Sequence, residues 1–211
     1  MVKKRAFIIS FEGIEGTGKS TQSYLLGKFL RKQGFKIAFF REPGSSVFGE
    51  QIRNILLHGK TNLCAVTETL LFIAARQQLS LEKIEPNVLK KDIVIIDRYI
   101  DATVAYQGYG SGVDIKLIKQ LNKTVAGNCI PDLTILFDID PKVGLVRSGR
   151  GDCFEKRKMS FHEKVRAGYL KIAKENPGRI RVIKVESDIK AIQNQLRDIL
   201  TNEFNFAENK H

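Results

Sequence analysis

A glycine-rich octapeptide at residues 13–20 carries the residue types that phosphate binding requires. Its sequence is GIEGTGKS, and it stands between an apolar run and a segment with helical periodicity. Glycines let the backbone curl so that several amide N–H groups point at phosphate oxygens, and the N-terminus of a following helix adds positive potential. Lys19 can bridge phosphate groups, and the Ser20 hydroxyl can ligate a magnesium ion. The octapeptide is therefore predicted to bind the phosphates of a nucleotide.

The order of apolar run, octapeptide and helix is that of a Walker A loop, whose residue pattern the octapeptide also matches. ATP is the expected ligand, and we expect it to contact Gly13, Ile14, Glu15, Gly16, Thr17, Gly18, Lys19, Ser20 and Thr21. Magnesium coordination needs a second oxygen ligand, usually an acid at the end of an apolar strand. Asp97 follows such a run at residues 93–96. Mg²⁺ held by Ser20 and Asp97 is therefore the expected cofactor.

Arginines are expected to stabilise a phosphoryl group in transfer, because negative charge spreads over its oxygens. Arg41 follows one predicted strand and Arg98 follows another, so both should emerge at the carboxyl edge of the sheet, where open α/β proteins bind ligands. Two further candidates, Arg147 and Arg150, lie in a polar stretch at residues 146–158, which interrupts the pattern and is interpreted as a mobile lid. The predicted catalytic residues are Lys19, Arg98, Arg147 and Arg150.

Short apolar runs alternate with segments of helical periodicity along the chain. The runs, predicted to be strands, lie at residues 6–11, 36–40, 93–97, 133–137 and 179–185. The predicted helices lie at residues 21–33, 47–57, 67–79, 81–90, 114–126, 161–174 and 189–202. Because the strands are apolar nearly throughout, helices should cover both faces of the sheet. The predicted fold class is α/β, of the P-loop NTPase type, with a five-stranded parallel sheet. A single domain spans residues 1–211, with a lid at about 146–158.

Composition and charge narrow the classes of protein. With 43% hydrophobic and 27% charged residues the chain is expected to fold, and no apolar run approaches the roughly 20 residues of a membrane span. The net charge of +12 favours phosphate-bearing ligands, but the basic residues are spread along the chain, and no nucleic acid or membrane partner is expected. The three cysteines have no paired spacing, so reduced thiols in a cytoplasmic protein are expected.

Two other nucleotide-binding classes fit less well. Guanine-binding switch proteins usually carry Asn-Lys-x-Asp, whereas residues 122–125 read NKTV and lack the final acid, and residues 97–100 lack a switch glycine. A basic ATPase that depends on nucleic acid is the second alternative. Stimulation of ATP hydrolysis by DNA would distinguish it.

Four motifs in order make the sequence resemble the thymidylate kinases. They are FEGIEGTGKST at residues 11–21, REPG at 41–44, LF followed by an arginine at 71–76, and a stretch at 97–108 that begins DRY and ends AYQG. Two shorter matches, FE at 154–155 and VRAGY at 165–169, extend the likeness, which covers residues 6 to about 185. The set of motifs carries the resemblance, because a Walker A loop alone does not separate one P-loop enzyme from another.

The resemblance implies a kinase that uses ATP and Mg²⁺ to phosphorylate thymidine monophosphate (dTMP) to the diphosphate, a step in dTTP synthesis, and that forms a homodimer. A kinase for another nucleoside or nucleoside monophosphate is the alternative. The implied acceptor-binding residues are Glu15, Arg41, Phe72, Arg76, Arg98, Thr103, Tyr106 and Gln107. Because the acceptor is already an anion, no histidine base is needed, and His58, His162 and His211 are expected at the surface.

In the family these positions have distinct roles. Phe72 would stack on the thymine ring and Arg76 would donate to its carbonyl group. Thr103 would meet the ring N–H, with Gln107 nearby. Further, the sugar would be held by Tyr106 at its 2′ position and by Glu15 at its 3′-hydroxyl, and Arg41 and Arg98 would clamp the acceptor phosphate.

The lid is where the resemblance leaves an alternative open. Members without an arginine in the phosphate loop take their catalytic arginine from the lid, and residues 14–17 contain none, which implies Arg147 or Arg150. However, Cys153 stands where the family commonly has an arginine before Phe-Glu, so the choice between the two stays open. Smaller departures occur elsewhere, at Ser45, Ser46, Ala75, Leu79 and Ala102.

Overall fold

Five parallel strands form the centre of the computed structural model, which describes residues 5–59, 61–149, 151–186 and 188–204. The strands are β1 (Phe7–Gly13), β2 (Ile37–Arg41), β3 (Ile93–Asp97), β4 (Leu133–Asp138) and β5 (Ile180–Lys184), and their order across the sheet is β2-β3-β1-β4-β5. The central strand β1 therefore has β3 on one side and β4 on the other. This confirms the predicted five-stranded parallel sheet.

Nine α-helices occur in the described residues. They are α1 (Lys19–Lys32), α2 (Val47–His58), α3 (Ala65–Leu79), α4 (Glu85–Val88), α5 (Ile100–Thr103), α6 (Ile115–Ala126), α7 (Pro141–Ser148), α8 (Met159–Glu175) and α9 (Ile189–Glu203). Two stretches of π-helix, Ser80–Ile84 and Val104–Gly110, continue α3 and α5. None of these helices is long and apolar enough to cross a membrane.

Helices cover both faces of the sheet, as the unbroken apolar strands predict. Alternate residues of β3 belong to different clusters of buried side chains. Ile93 and Ile95 share one cluster with residues of α1, α8 and α9, whereas Val94 and Ile96 share the other with residues that follow α3. Because successive side chains of a strand point to opposite faces, this division requires two helical layers.

The register of the strands brings their carboxyl ends together. Phe11 of β1 and Arg41 of β2 both lie opposite Asp97 of β3. The octapeptide that follows β1 is therefore beside Asp97 and Arg98, as the sequence predicts for ligand binding at this edge.

Most predicted elements are present, and the differences lie where turns and helices meet. The helix predicted at residues 81–90 is a π-helical turn followed by the short α4, with Pro86 near the start of α4. The sequence analysis did not predict α5, the π-helix after it, or α7. Asp140 starts α7, since its carboxylate accepts the N–H of Lys142 at 2.8 Å and Pro141 sets the first turn.

The phosphate loop packs directly on α7 through two glycines. A Cβ atom added to Gly16 would lie 1.8 Å from the carbonyl oxygen of Gly144, and one added to Gly144 would lie 2.5 Å from the carbonyl oxygen of Glu15. Gly16 also has φ of +70°, a conformation that favours glycine. The shape of the loop therefore depends on a glycine about 130 residues away in the sequence.

Gly144→Ala should destabilise the protein by about 1–3 kcal/mol and weaken ATP binding, because the new methyl group has to push the loop backbone away. A loss of stability would be informative, because by helix propensity alone the change from glycine to alanine should stabilise α7 by about 1 kcal/mol. Urea denaturation and ATP titration measure the two effects. Val143→Ala, at an exposed position of the same helix, is the matched control. A stabilised Gly144→Ala protein with unchanged ATP affinity would contradict this packing.

Candidate active site

The lysine of the phosphate loop is buried and points back into the loop. Lys19 Nζ donates to the carbonyl oxygen of Ile14 at 2.6 Å and to Thr17 Oγ1 at 3.2 Å. Burial lowers the pKa of Lys19 to about 7, and the neighbouring Arg98 guanidinium acts in the same direction, against the surrounding carboxylates. Phosphate oxygens at this position would favour the charged form of Lys19. The loop is therefore prepared for an anion.

The two side-chain oxygens predicted to hold a metal ion meet between the start of α1 and the end of β3. The Ser20 hydroxyl donates to Asp97 Oδ2, and both side chains have access to solvent. The described residues contain no group of three His, Cys, Asp or Glu side chains that could hold a metal ion. A magnesium ion fits these two oxygens only if phosphates and water supply most of its ligands, which is how Mg²⁺ usually binds beside a nucleotide.

Glu15 links the phosphate loop to the segment after β3. Its Oε1 atom accepts from Arg98 Nη2 at 2.8 Å and from the Tyr106 hydroxyl at 2.6 Å. The guanidinium of Arg98 also lies 4.9 Å from the centre of the Tyr106 ring, within the range of a cation–π contact. Burial would raise the pKa of Glu15, but the charges of Arg98 and Lys19 and the Tyr106 hydrogen bond outweigh it and lower that pKa. The carboxylate is therefore held ionised.

Arg98 has an unusual backbone conformation. Its φ is +64°, which is rare for a residue with a side chain, and its N–H donates to the carbonyl oxygen of Phe11 at 3.0 Å. Such conformations cost on the order of 1–3 kcal/mol and persist where the surrounding structure enforces them, often at functional sites. The strain turns the Arg98 side chain towards the phosphate loop.

Arg41, at the end of β2, is exposed and bound to an acid of α2. Its Nη2 atom lies 3.0 Å from both carboxylate oxygens of Glu50. Ser45, which has φ of +63°, supports this loop, since its hydroxyl accepts the Arg41 N–H at 2.9 Å. Arg41 thus lies at the same edge of the sheet as Arg98, with its other guanidinium nitrogens available on the solvent side.

Arg76 is more deeply buried than a ligand-binding arginine usually is. It is 1% exposed, and it donates to Glu42 Oε2 from Nε at 2.9 Å and from Nη2 at 2.7 Å. Nη2 also donates to Thr103 Oγ1 at 2.8 Å, and Nη1 donates to Asn122 Oδ1. Glu42 and Asn122 are partners that the sequence analysis did not predict. Among the described residues, the acceptor of Nη1 is Asn122 Oδ1.

Phe72, the residue predicted to stack on a base, lies against Phe154 at the end of the predicted lid. Phe154 is 4% exposed and packs edge-on, with ring centres 5.9 Å from Phe72 and 6.0 Å from Tyr106. Arg157 lies over the Phe154 ring at 4.7 Å. In the sequence, Phe154 was noted only as part of a motif. In the structure its ring packs against both Phe72 and Tyr106.

Glu68 connects the end of the predicted lid to the π-helix Val104–Gly110. Glu68 of α3 is buried, accepts from Gln107 Nε2 at 2.9 Å through one oxygen, and accepts from Arg157 through the other. Arg157 also donates to Ser111 Oγ at 3.0 Å. Gln107 is therefore directed to Glu68, and Thr103 to Arg76, in the structure. Neither Glu68 nor Arg157 carried a signal in the sequence, because their pairing joins distant segments.

The two predicted lid arginines differ in what can be said of them. Arg147, in the last turn of α7, is exposed and lines a cleft together with residues 16–18 and the apolar side chains of Val185 and Ile189. Arg150 lies outside the described residues.

The histidine prediction was wrong for one residue. His58 is exposed as expected and His211 lies outside the described residues, but His162 is 1% exposed, near the start of α8. Its Nδ1 atom is 3.8 Å from Glu15 Oε2. The signal that was missed is the apolar stripe of α8, in which Val165, Tyr169 and Ile172 follow at helical spacing.

Comparisons with known proteins agree on one family. The family model described as thymidylate kinase matches residues 11–196. Thymidylate kinase from Kosmotoga olearia is 42% identical over 191 residues, covering 89% of this chain and 92% of that protein. For thymidylate kinase from Syntrophotalea carbinolica the identity is 44%, over 84% and 87%. The crystal structure of thymidylate kinase from Ehrlichia chaffeensis has a TM-score of 0.78 and 38% identity, and the match covers 93% of this chain and 99% of that one.

A second carboxylate lies buried behind the loop, inside β1. Glu12 is fully buried and accepts from the Tyr99 N–H at 2.8 Å and the Tyr169 hydroxyl at 2.9 Å. Burial raises the pKa of Glu12 to about 7, and the Asp101 carboxylate adds to the effect, against those two hydrogen bonds. Glu12 should therefore titrate near neutral pH.

The elevated pKa of Glu12 predicts a pH-dependent stability. Between the ordinary value of 4.5 and about 7 the folded state binds more protons than the unfolded chain, so stability falls as pH rises through this window. Glu12→Gln removes the titration. The free energy of unfolding of the variant relative to the parent should therefore rise by on the order of 1–3 kcal/mol from about pH 4.5 to about pH 8.

Urea denaturation at the two pH values measures this difference. Glu163→Gln, at an exposed position of α8, controls for the loss of one negative charge. A difference between Glu12→Gln and the parent that is independent of pH would show that Glu12 does not titrate in this range.

Proposed function

The chain belongs to the thymidylate kinase family and phosphorylates dTMP, and we propose that it does so with ATP and Mg²⁺ between the phosphate loop and the segment 97–110. The observation that carries this assignment of the site is the contact of Glu15 with Arg98 and Tyr106. An acid inside a phosphate loop repels phosphates unless it has another task. Here its charge is balanced by Arg98, and its oxygens suit a hydroxyl donor such as a sugar.

The donor side consists of the loop and the cleft beside Arg147. The backbone amides of residues 13–21 and Lys19 bind the ATP phosphates. Ser20 and Asp97 would hold Mg²⁺, which when bound would neutralise negative charge on the phosphates. The apolar side chains of Val185 and Ile189 suit the adenine ring.

The acceptor side begins at Arg98. The acceptor phosphate competes with Glu15 for its guanidinium, and Arg41 approaches from the end of β2 as the second cation. Phe72 offers its ring to thymine, and Arg76 offers an N–H to a carbonyl of the base. Thr103 and Gln107 would contribute from beside them, through their contacts with Arg76 and Glu68. Tyr106, bound to Glu15, lies where a 2′-hydroxyl would need space.

Catalysis depends on position and charge. The acceptor phosphate is already an anion, so no general base is required. Lys19 and Arg98 neutralise charge on the transferring group, and an arginine of the lid at residues 146–158 completes the set while the lid excludes water. At the end of the predicted lid, Phe154 contacts Phe72 and Arg157 binds Glu68, which supports coupling between acceptor binding and lid closure.

We also infer a cytoplasmic homodimer. Exposed apolar side chains occur on α2, α3 and α6, and α3 packs against both of the other helices; they are Val47, Phe48, Ile55, Val66, Leu70 and Leu117. Such a shared apolar area supports an interface between two copies. The cysteines Cys64, Cys129 and Cys153 are unpaired, as a reducing compartment allows. A monomer in solution, measured by light scattering, would contradict the homodimer.

The function is tested by ADP release with a panel of nucleoside monophosphates. We expect the highest kcat/KM with dTMP, and a value about 10–200-fold lower with deoxyuridine monophosphate, because one missing methyl group is worth that much in an apolar pocket. Uridine monophosphate should be poorer still, because its 2′-hydroxyl meets Tyr106. A protein that binds ATP but leaves dTMP unphosphorylated would contradict the function.

The lid arginines are distinguished by a pair of variants. Arg147→Ala should lower kcat by about 100-fold and leave the KM for dTMP nearly unchanged, because Arg147 lines the donor cleft and not the acceptor pocket. Arg150→Ala is the matched variant in the same segment. Unchanged turnover in Arg147→Ala, with loss in Arg150→Ala, would assign the role to Arg150.

A further inference from the structure

His162 is a buried polar side chain without a partner. It is 1% exposed, and neither ring nitrogen has a hydrogen-bond partner in the described part of the chain. On one side its ring meets Phe161 edge-on at 5.4 Å. A buried donor or acceptor that forms no hydrogen bond destabilises the fold, so each such group requires an explanation. An apolar ring at this position would avoid the destabilisation that comes from burying unpartnered nitrogen atoms.

A carboxylate oxygen close to His162 is also without a hydrogen-bond partner in the described part of the chain. Glu15 Oε2 is buried and forms no hydrogen bond among the described residues, and it lies 3.8 Å from His162 Nδ1. In contrast, Oε1 of the same carboxylate accepts from both Arg98 and Tyr106. The two unpartnered groups therefore face each other, at a distance about 1 Å longer than an N–H···O hydrogen bond.

We propose that His162 is a positioning residue for Glu15 and thereby sets the preference for acceptors that carry a 3′-hydroxyl group. The proposal rests on the proposed function, in which Glu15 accepts from the sugar. The phosphate of the acceptor draws Arg98 away from Oε1, and the carboxylate loses one of its two donors. His162 Nδ1–H then moves the remaining 1 Å and donates to Oε2, which fixes the plane of the carboxylate.

The location of His162 suits this role. It approaches Glu15 from α8, whereas the other donors come from the segment after β3, so it can hold the carboxylate while Arg98 binds phosphate. Tyr106 keeps its hydrogen bond to Oε1, and Lys19 contributes only through its charge. A carboxylate held from two directions is oriented for one hydroxyl group, and the binding energy of that hydroxyl depends on the orientation.

The test compares two acceptors that differ only in the 3′-hydroxyl: dTMP and 3′-deoxythymidine monophosphate. His162→Phe fills the same space without a donor, and His162→Asn keeps an N–H near the position of Nδ1. In His162→Phe we expect kcat/KM for dTMP to fall about tenfold, with a change of less than about threefold for the 3′-deoxy acceptor. His162→Asn should retain most of the preference of the parent. The melting temperature of His162→Phe should equal or exceed that of the parent.

Three results would overturn the proposal. They are an equal loss for both acceptors, no loss for either, and a parent enzyme that does not distinguish the two acceptors. His162→Leu, a second apolar variant, should behave as His162→Phe does and keeps the test available if the larger ring does not fold. A parent that fails to phosphorylate dTMP at all would contradict the proposed function itself, which separates the two failures.

Discussion

The parallel pairing of β1 with β3 is the constraint on which the site depends. Because Phe11 lies opposite Asp97, the phosphate loop and the Asp97–Arg98 pair begin at the same level of the sheet. Because of this register, the Ser20 side chain reaches Asp97 and the Arg98 side chain reaches Glu15. A shift of one residue would reverse the direction of every side chain on the strand. The register thus joins the donor and acceptor sides.

Charges concentrated at this edge are expensive to bury, and the structure balances them in part. Lys19 has a lowered pKa and Glu12 a raised one, both mainly because of burial, whereas Glu15 is kept ionised by its cationic neighbours. Arg76 is paired with Glu42. Phosphate groups of bound nucleotides would complete the balance for Lys19 and Arg98. The electrostatics of the site therefore favours anions.

Much of the fold could be predicted because it depends on local pattern. The five strands are unbroken apolar runs, and the loop at residues 13–20 has glycine at its three positions of positive φ. The segment after β3 was harder. Thr103, Tyr106 and Gln107 were predicted as ligand contacts, but the π-helix that directs Gln107 to Glu68 has no sequence pattern of its own. The lid assignment and the site roles stay predictions.

The sequence by itself determined the phosphate loop, the acid at the end of β3, the parallel sheet and the family, because each depends on consecutive residues or on a short motif. Only the tertiary structure decided what surrounds them. Gly144 shapes the loop, Phe154 stands between Phe72 and Tyr106, and His162 faces Glu15. These partners are separated by tens of residues or more, so no periodicity links them. Contact across the fold arises only when helices α7 and α8 pack on the edge of the sheet.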